Sequence, residues 1–404
     1  MFKKWLKKGP PSKLLIKETI HYDDEPHSAT DSAFGEDISK IDFISALPLE
    51  LAAYILGYTS ISDPTFLVSK AWKSVREDSM VWKQFYLRSF TPPRGPIANW
   101  NELYQKRMRL GENWRNGLVD GKSLAGHLDA VYCIQFDSEK IISGSRDQTI
   151  KYWDLKTYKC YRTLSGHTGS VLCLQFNEQY IISGSSDTTI RIWDTVTGET
   201  LKVLSGHELP VLDVRFNDKY IFSGSKDCTI KMWDLKTGEL LHTFTGHSAA
   251  VNCIYVHTDS VVSASGDGSI RRWCLKELRI IQEFRGHARG LACVLYDGRT
   301  IISGSNDKTI RFWNTESGLV RELKQHTELV RTLAFNRDFI VSGSYDQSIK
   351  IWDFDGNLIL DMKDAHRSWV FHVQIDCTKI VSSGQDNKII IWDFSNGEDM
   401  SMFV

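Results

Sequence analysis

Seven histidines recur at nearly constant spacing, and an aspartate and then a tryptophan follow each one. The histidines are His127, His167, His207, His247, His287, His326 and His366. The aspartates are Asp147, Asp187, Asp227, Asp267, Asp307, Asp346 and Asp386. The tryptophans are Trp153, Trp193, Trp233, Trp273, Trp313, Trp352 and Trp392. Histidine beside aspartate and a strand serine could perform nucleophilic catalysis. Seven identical active sites in one chain would be unprecedented, so we interpret His127, Asp147, Trp153 and their counterparts as structural sets.

The spacing of these sets defines a tandem repeat of forty residues, with one unit of thirty-nine. The first unit contains three short apolar runs, VYCIQF, KIISGS and TIKYWD, and a fourth run, CYRTLSG, leads to the next histidine. Four short strands per unit, repeated seven times, predict a seven-bladed β-propeller. The last unit stops soon after Trp392, and a spare strand precedes the first unit. We therefore expect residues near 121–126 to complete the last blade and remove its open edge.

The repeated residues resemble the WD-repeat family over roughly 280 of the 404 residues. The resemblance implies that each aspartate accepts a hydrogen bond from its histidine, which is also linked to a strand serine and the tryptophan. Some units depart from the pattern: Ala365 and Gln325 replace the glycine before histidine, and Cys274 and Asn314 replace the aspartate after tryptophan.

Composition places the chain among ordinary globular proteins, with 42% hydrophobic and 25% charged residues. The 49 basic and 50 acidic residues give no global reason to expect nucleic acid as a partner. We expect no membrane span and no secretory signal peptide. The eight cysteines show no metal-ligand spacing, and four occupy one repeated position inside apolar strands. We therefore expect a cytoplasmic or nuclear location and no metal or other cofactor.

The first 118 residues differ in character from the repeats. Residues 1–40 are predicted to be a disordered tail. Residues 41–90 are predicted to form three short helices, the third capped by Asp78 or Ser79 and carrying Trp82 and Phe85. Residues 91–118 are predicted to form a helical linker whose helix ends near Gly111. A helical segment this short buries little apolar area on its own and often needs a partner protein to be stable.

The stretch 44–86 resembles the F-box, although Thr59 stands where leucine is usual. The resemblance implies docking on a Skp adaptor through Leu47, Pro48, Leu51, Ile55, Leu56, Trp72 and Trp82. The predicted fold class is α+β multidomain, in which a small all-α F-box domain and helical linker precede an all-β seven-bladed WD-repeat propeller at residues 119–404.

Residues 44–404 as a whole resemble the F-box/WD-repeat proteins, which are substrate receptors of SCF-type ubiquitin ligases. The resemblance implies a non-catalytic subunit that binds a Skp adaptor and a cullin scaffold and captures a phosphorylated or acidic substrate. The matching basic positions are Arg146, Arg331 and Lys226, with Arg289 as an addition. The aromatic residues Tyr132, Tyr345, Trp369 and Phe371 fall on neighbouring blades. We predict that this patch binds an acidic or phosphorylated motif carrying an apolar residue.

Three alternative functions stay open. The first is a WD-repeat scaffold outside ubiquitination, although no coiled-coil heptads precede the repeats. The second is an enzyme, although no glycine-rich phosphate loop, metal cluster or unique nucleophile–base pair stands out. The third is an F-box protein that binds the Skp adaptor and acts outside the ligase.

Overall fold

The computed structural model describes residues 47, 51, 78–90, 92–93, 95–398 and 400–403. The predicted tail at 1–40 and most of the predicted F-box lie outside these residues, including Pro48, Ile55, Leu56 and Trp72.

Two α-helices precede the repeats in the described part of the chain. Helix α1 spans Ser79–Ser89, and its N-cap Asp78 accepts a hydrogen bond from the backbone N–H of Met80 at 2.7 Å. This cap is one of the two that the sequence predicted. Helix α2 spans Trp100–Asn116, and the Asn99 side chain caps it by accepting from Glu102.

Helix α2 does not end near Gly111, and that prediction is wrong. The helix continues to Asn116 and ends at Gly117, whose φ of 68° is left-handed. A mid-helix glycine destabilises by only about 1 kcal/mol. Burial of Leu110 and Trp114, which are 0% and 1% exposed, outweighs that effect because each buried large apolar side chain contributes about 1.5–3 kcal/mol.

Within the described residues, twenty-eight strands form seven four-stranded antiparallel sheets. The strands of the first three blades are β2 Val131–Phe136, β3 Lys140–Ser145, β4 Ile150–Asp154, β5 Cys160–Leu164, β6 Val171–Phe176, β7 Tyr180–Ser185, β8 Ile190–Asp194, β9 Thr200–Leu204, β10 Val211–Phe216, β11 Tyr220–Ser225, β12 Ile230–Asp234 and β13 Leu240–Phe244. Those of blades four to six are β14 Val251–His257, β15 Ser260–Ser265, β16 Ser269–Cys274, β17 Arg279–Arg285, β18 Leu291–Tyr296, β19 Thr300–Ser305, β20 Ile310–Asn314, β21 Gly318–Leu323, β22 Val330–Phe335, β23 Ile340–Ser344, β24 Ile349–Trp352 and β25 Leu358–Met362. The seventh blade contains β26 Val370–Ile375, β27 Lys379–Gly384, β28 Ile389–Asp393 and β1 Asp120–Leu124.

The ring closes as the sequence predicted. Strand β1, which precedes the first repeat, pairs with β28 from Asp120 opposite Asp393 to Leu124 opposite Ile389. The last blade therefore contains strands from both ends of the repeat region, and β28 has a paired strand on both sides.

Each blade has four strands, called a to d from the channel outwards, and the ring has two faces. The upper face carries the d–a and b–c connections, and the lower face carries the a–b hairpins and the c–d turns.

Side chains of the a strands form hydrogen bonds directly to the next blade. Gln374, Gln135 and Gln175 accept from backbone N–H groups of the neighbouring a strands at 2.7, 2.5 and 2.7 Å. Asp213 accepts from Ile254 in the same way at 2.8 Å.

The predicted cysteine position forms part of this inner ring. Cys133, Cys173 and Cys293 are buried, and their thiols lie 3.7–4.0 Å from carbonyl oxygens of the next blade. Burial raises the pKa of Cys293 to about 12, so the thiol stays protonated. Cys133, Cys173 and Cys293 therefore behave as the small buried side chains that the sequence predicted, whereas Cys253, the fourth cysteine at this position, is only partly buried.

Helix α2 docks on the lower face at blades six and seven. The Trp114 indole stacks on Phe394 with 3.8 Å between ring centroids and donates to the carbonyl of Cys377 at 3.2 Å. Asn113 donates to the carbonyl of Phe394 at 2.8 Å. The helices therefore lie on the face opposite the d–a and b–c connections.

Leu124 of the closing strand β1 allows the contribution of ring closure to stability to be tested. Its side chain is 3% exposed and packs with core residues of blades one and seven. We expect Leu124→Ala to lower the free energy of unfolding by about 2–5 kcal/mol, because it leaves a cavity at the closing seam. The exposed neighbour in the same strand supplies the control, Ser123→Ala, which should change it by less than about 0.5 kcal/mol. Urea denaturation followed by tryptophan fluorescence measures both.

Truncation tests the same seam more severely. Removal of all residues before Gly126 should abolish the cooperative thermal transition, because β28 loses its paired neighbour. A full thermal transition in that truncated chain would contradict the role of β1.

Candidate functional site

Each blade contains a hydrogen-bonded chain that links tryptophan, serine, histidine and aspartate. In blade one, Trp153 Nε1 donates to Ser143 Oγ at 2.8 Å, and Ser143 Oγ lies 2.8 Å from His127 Nε2. His127 Nδ1 lies 2.8 Å from Asp147 Oδ2. With the proton on Nδ1, every group in the chain is satisfied. The predicted network is therefore present.

The same network occurs in the units that depart from the repeat pattern. His326, which follows Gln325, lies 2.8 Å from both Asp346 and Ser342. His366, which follows Ala365, lies 3.0 Å from Asp386 and 2.8 Å from Ser382. Each aspartate also accepts from the backbone N–H of the residue after its histidine, as in blade one. The network therefore joins the d–a connection to the b–c turn.

These sets have the distances of a catalytic triad but not its accessibility. Ser143 is 0% exposed, and its hydroxyl oxygen already accepts from Trp153. A nucleophile must reach a substrate carbonyl, and this oxygen is enclosed on all sides. The burial of Ser143 and its hydrogen bonds support the structural interpretation of His127, Asp147 and Trp153.

The network holds its charged groups at unusual pKa values. Burial alone would raise the pKa of Asp187, but hydrogen bonds from Thr189 and His167 lower it to about 2. Burial lowers the pKa of His167, although Asp187 opposes the effect. The aspartate is therefore charged and the histidine neutral near pH 7.

Four predicted aromatic residues converge on the upper face across blades six, seven and one. Tyr345 and Trp369 stack with 4.5 Å between ring centroids and 5° between planes. Phe371 meets Tyr345 edge to face at 5.9 Å and lies 4.9 Å from Tyr132. Trp369 is 43% exposed although it is large and apolar. We call Tyr132, Tyr345, Trp369 and Phe371 the aromatic patch.

One member of the aromatic patch has a different role from the predicted one. Phe371 is only 6% exposed, because Tyr132, Tyr345 and Trp369 cover its ring. It supports the other three rings from beneath and does not present its own surface to a ligand. The prediction that Phe371 contacts a substrate is corrected accordingly.

Two predicted arginines lie on the blades that carry the aromatic patch. Arg331, in blade six, is half-buried at the channel and donates to the carbonyl of Ala292 at 3.4 Å. Arg146, in blade one, is exposed, and its Nε lies 3.7 Å from a carboxylate oxygen of Asp129. An anion bound at Arg146 would therefore compete with a weak and solvated ion pair.

The structure does not bring all the predicted basic residues to the patch. Lys226 is exposed in the b–c turn of blade three, which is adjacent to none of the blades that carry the aromatic patch. Arg289 is exposed in the connection that leads into blade five, next to blade six. Both lie on the upper face, outside the aromatic patch.

Six of the seven residues that lie five positions after a repeated histidine line the mouth of the central channel. Tyr132, Leu172, Leu212, Asn252, Ala292 and Arg331 surround a cavity of about 50 Å³. His372 also lines it, and burial, followed by the charges of Arg215 and Arg331, lowers the pKa of His372 to about 3. The lining therefore carries the charge of Arg331 and the ion pair of Arg215 and Asp213 beside a neutral histidine.

Two exposed residues in the connections that lead into blades one and seven were not among those predicted from the sequence. Leu128 is 86% exposed, and its carbonyl accepts from Asn387 of blade seven at 3.4 Å. Arg367 is exposed two positions before Trp369. Each directly follows a repeated histidine, and this position could have been included among the variable ones.

Three of the predicted adaptor-binding residues lie within the described part of the chain. Leu51 is 51% exposed, and Leu47 is partly buried against the cluster formed by α1 and α2. Trp82 is 4% exposed, with its ring 5.5 Å from that of Tyr104. The expectation that Trp82 contacts the adaptor is corrected, because the indole packs α1 on α2.

Metal-binding groups and membrane-spanning helices are both absent from the described ranges. Among those residues, histidine, cysteine, aspartate and glutamate do not form a group of three or more suited to a metal ion. The described helices are also too short or too polar to cross a membrane.

Comparison with known proteins gives one family match. The family described as WD domain, G-beta repeat matches residues 120–154, 158–194, 198–234, 238–274, 278–314, 317–353 and 358–393. Each segment contains the d strand of one blade and the a, b and c strands of the next, and together the segments cover more than half of the chain.

Curated relatives match over shorter stretches. A probable E3 ubiquitin ligase complex SCF subunit sconB from Arthroderma benhamiae is 29% identical over 172 residues, which are 33% of this chain and 26% of the relative. F-box/WD repeat-containing protein 7 of Drosophila melanogaster is 36% identical over 141 residues, covering 30% of this chain and 11% of the relative. An F-box protein of Saccharomyces cerevisiae is 30% identical over 158 residues, covering 30% of this chain and 24% of the relative. The matches therefore span about a quarter or less of these relatives.

The network predicts how stability depends on pH. The folded pKa of Asp187, about 2, lies below its ordinary value of 3.8, so the unfolded chain binds the proton first. Its contribution is present above pH 3.8 and is lost as the pH falls towards 2. The pKa of His167 is also lowered, from an ordinary value of 6.5, so protonation of His167 below that pH likewise favours the unfolded chain. We therefore expect the free energy of unfolding to fall on acidification.

The variant Asp187→Asn isolates this effect. It should lower the free energy of unfolding by about 1–3 kcal/mol near pH 7. Below about pH 4, the free energy of unfolding of the variant should fall less steeply with pH than that of the wild type. Asp218→Asn, at an exposed hairpin aspartate, should keep the wild-type slope. Urea denaturation from neutral pH to about pH 3 measures both, and equal slopes in the two variants would contradict the assignment.

Proposed function

The chain belongs to the WD40-repeat family, and from this premise we propose that it is the substrate-recognition subunit of an SCF-type ubiquitin ligase. The proposal rests on the F-box resemblance of residues 44–86 and on curated relatives named as SCF subunits and F-box/WD-repeat proteins. In this role the chain binds a Skp adaptor and, through it, a cullin.

The observation that carries the proposal is the placement of the two modules on opposite faces. Helices α1 and α2 attach to the lower face through Trp114 and Asn113. The aromatic patch, Arg146 and Arg331 occupy the upper face and the mouth of the channel. A partner bound through the helical module therefore leaves the upper face open for a second protein.

This arrangement suits a protein that positions others. A receptor that holds a substrate at a fixed distance from a ubiquitin-loaded enzyme raises the effective concentration of the two reactants. It needs no bond chemistry of its own. The half-exposed Leu51 provides an apolar contact for the adaptor.

The upper face suits a short motif with one acidic and one apolar side chain. The guanidinium groups of Arg146 and Arg331 present planar donors to a carboxylate or phosphate. The stacked rings of Tyr345 and Trp369 offer a rigid apolar surface. Tryptophan, tyrosine and arginine are enriched at binding hot spots. The proposed substrate is therefore a protein with a phosphorylated or acidic degron, bound in the cytoplasm or nucleus.

The main alternative is a WD-repeat scaffold outside ubiquitination. The same upper face would then bind a partner that is not degraded. Adaptor binding separates the two functions, because a scaffold of this kind does not need a Skp adaptor.

Adaptor capture gives the first test. We expect the full chain to retain the Skp adaptor and a cullin in affinity capture from proteasome-inhibited cells, and Leu51→Asp to lose both, because it places a charge in an apolar contact. Leu118→Asp is the matched control, since Leu118 is 56% exposed between α2 and β1. Failure of the wild-type chain to retain the adaptor would favour the scaffold.

Substrate capture tests the upper face. Proteins retained by the wild-type chain and lost after phosphatase treatment would be the substrates with phosphorylated degrons. We expect Arg146→Ala and Arg331→Ala each to weaken their binding by about tenfold or more, because each removes a charge-assisted contact. Thermal midpoints should stay within about 2 °C of wild type, since neither guanidinium is fully buried.

The control for these variants lies on the lower face. Arg299 is an exposed arginine in an a–b hairpin, so Arg299→Ala should leave capture unchanged. Wild-type capture by the Arg146→Ala/Arg331→Ala double variant would exclude this patch as the substrate site.

A further inference from the structure

The chain that follows the last strand turns back over the lower face. Asn396 and Gly397 both have positive φ, 54° and 78°, and a short 3₁₀ helix follows at Ser401–Phe403. Four residues of this segment make the contacts described next. We call Glu398, Met400, Met402 and Phe403 the clasp.

The clasp contacts two separate hydrophobic clusters. Met402 and Phe403 pack against the cluster of α1 and α2, which contains Tyr86 and Tyr104. Met400 and Phe403 pack against the cluster of blades six and seven. Phe403 belongs to both, so it joins the core of the helical module to the core of the propeller.

Polar contacts hold the clasp in place. Arg109 of α2 donates to both carboxylate oxygens of Glu398 at 2.8 and 3.1 Å. The Cys377 thiol donates to the carbonyl of Phe403 at 3.1 Å. Burial raises the pKa of Cys377 to about 11, so the proton needed for this bond is present near pH 7.

The contacts at Phe403 extend to α1. The rings of Tyr86 and Phe403 are nearly parallel, with 6.5 Å between centroids. The Arg107 guanidinium lies 5.8 Å from the Phe403 ring and 5.3 Å from that of Phe90, and it pairs with Asp338 of blade six. Among the described residues α1 packs mainly on α2, and Phe403 adds a second support that comes from the propeller side.

Two attachments along a helix fix its tilt, whereas one allows it to pivot. Trp114 and Asn113 anchor the last turn of α2, and the contacts at Arg107 and Arg109 lie about 6–10 Å earlier along the axis. A small rotation about the last turn would displace α1, and with it the chain that carries the F-box resemblance.

We propose that the clasp is a positioning element that fixes the orientation of α1 and α2 on the propeller. The clasp thereby sets the distance and orientation of a bound substrate relative to a bound adaptor. The second part rests on the proposed ligase function. Phe403 acts on the transfer step through the position of α1 and touches no reacting group.

The variant Phe403→Ala tests the clasp in the full chain by two independent readouts. Hydrogen–deuterium exchange should become about tenfold faster in α1, while exchange in the propeller strands stays unchanged. In a complex with the Skp adaptor, cullin and a captured substrate, binding of both partners should persist, and ubiquitin transfer per bound substrate should fall several-fold. Asp355→Ala is the control, an exposed residue on the same face.

Each result decides one part of the proposal. Unchanged exchange in α1 would overturn the clasp. Faster exchange with unchanged transfer would overturn its positioning role. A wild-type complex that neither holds the adaptor nor transfers ubiquitin would count against the proposed function, and the exchange comparison would still decide whether the clasp holds α1.

Discussion

The tryptophan–serine–histidine–aspartate chain is the interaction on which the rest of this structure depends. It begins in the core of each blade at Trp153 or its counterpart and ends at an aspartate on the upper face. Buried polar groups are costly when unpaired, so a network in which each member is satisfied favours one conformation strongly. The network therefore fixes two connections per blade, which form the surface that the aromatic patch occupies.

Because the network fixes the backbone of these connections, the residues between the network positions can differ from blade to blade. The residue before each repeated aspartate differs from blade to blade, from Arg146 to Tyr345 and Gln385. The backbone at these positions is held by the network, so a change of side chain alters the surface without altering the fold. The stacked pair of Tyr345 and Trp369 shows the result, because two connections of different blades bring their rings together.

The repeat made most of the fold predictable. The period, the closing strand β1, the four-residue network and the convergence of the aromatic residues follow from positions that recur in every unit. Features that occur once were harder to predict. Helix α2 passes through Gly111 because Leu110 and Trp114 are buried against the propeller, and helix propensity does not contain that information. Trp82 is covered by Tyr104, a neighbour that the sequence does not reveal. The neighbours of Phe371 were predicted, but the sequence does not show that they cover its ring. The contacts of Phe403 depend on three distant segments at once.

The closing pair of strands has a consequence for the order in which this protein can fold during synthesis. Strand β1 leaves the ribosome before any blade is made, yet its partner β28 is in the last one. At about 5–20 residues per second, tens of seconds separate the two strands. During that time β1 has no partner strand, while the other six blades receive all four of their strands one blade after another. Strand β1 therefore stays without its partner until β28 emerges, and the seventh blade is the last of the seven to form.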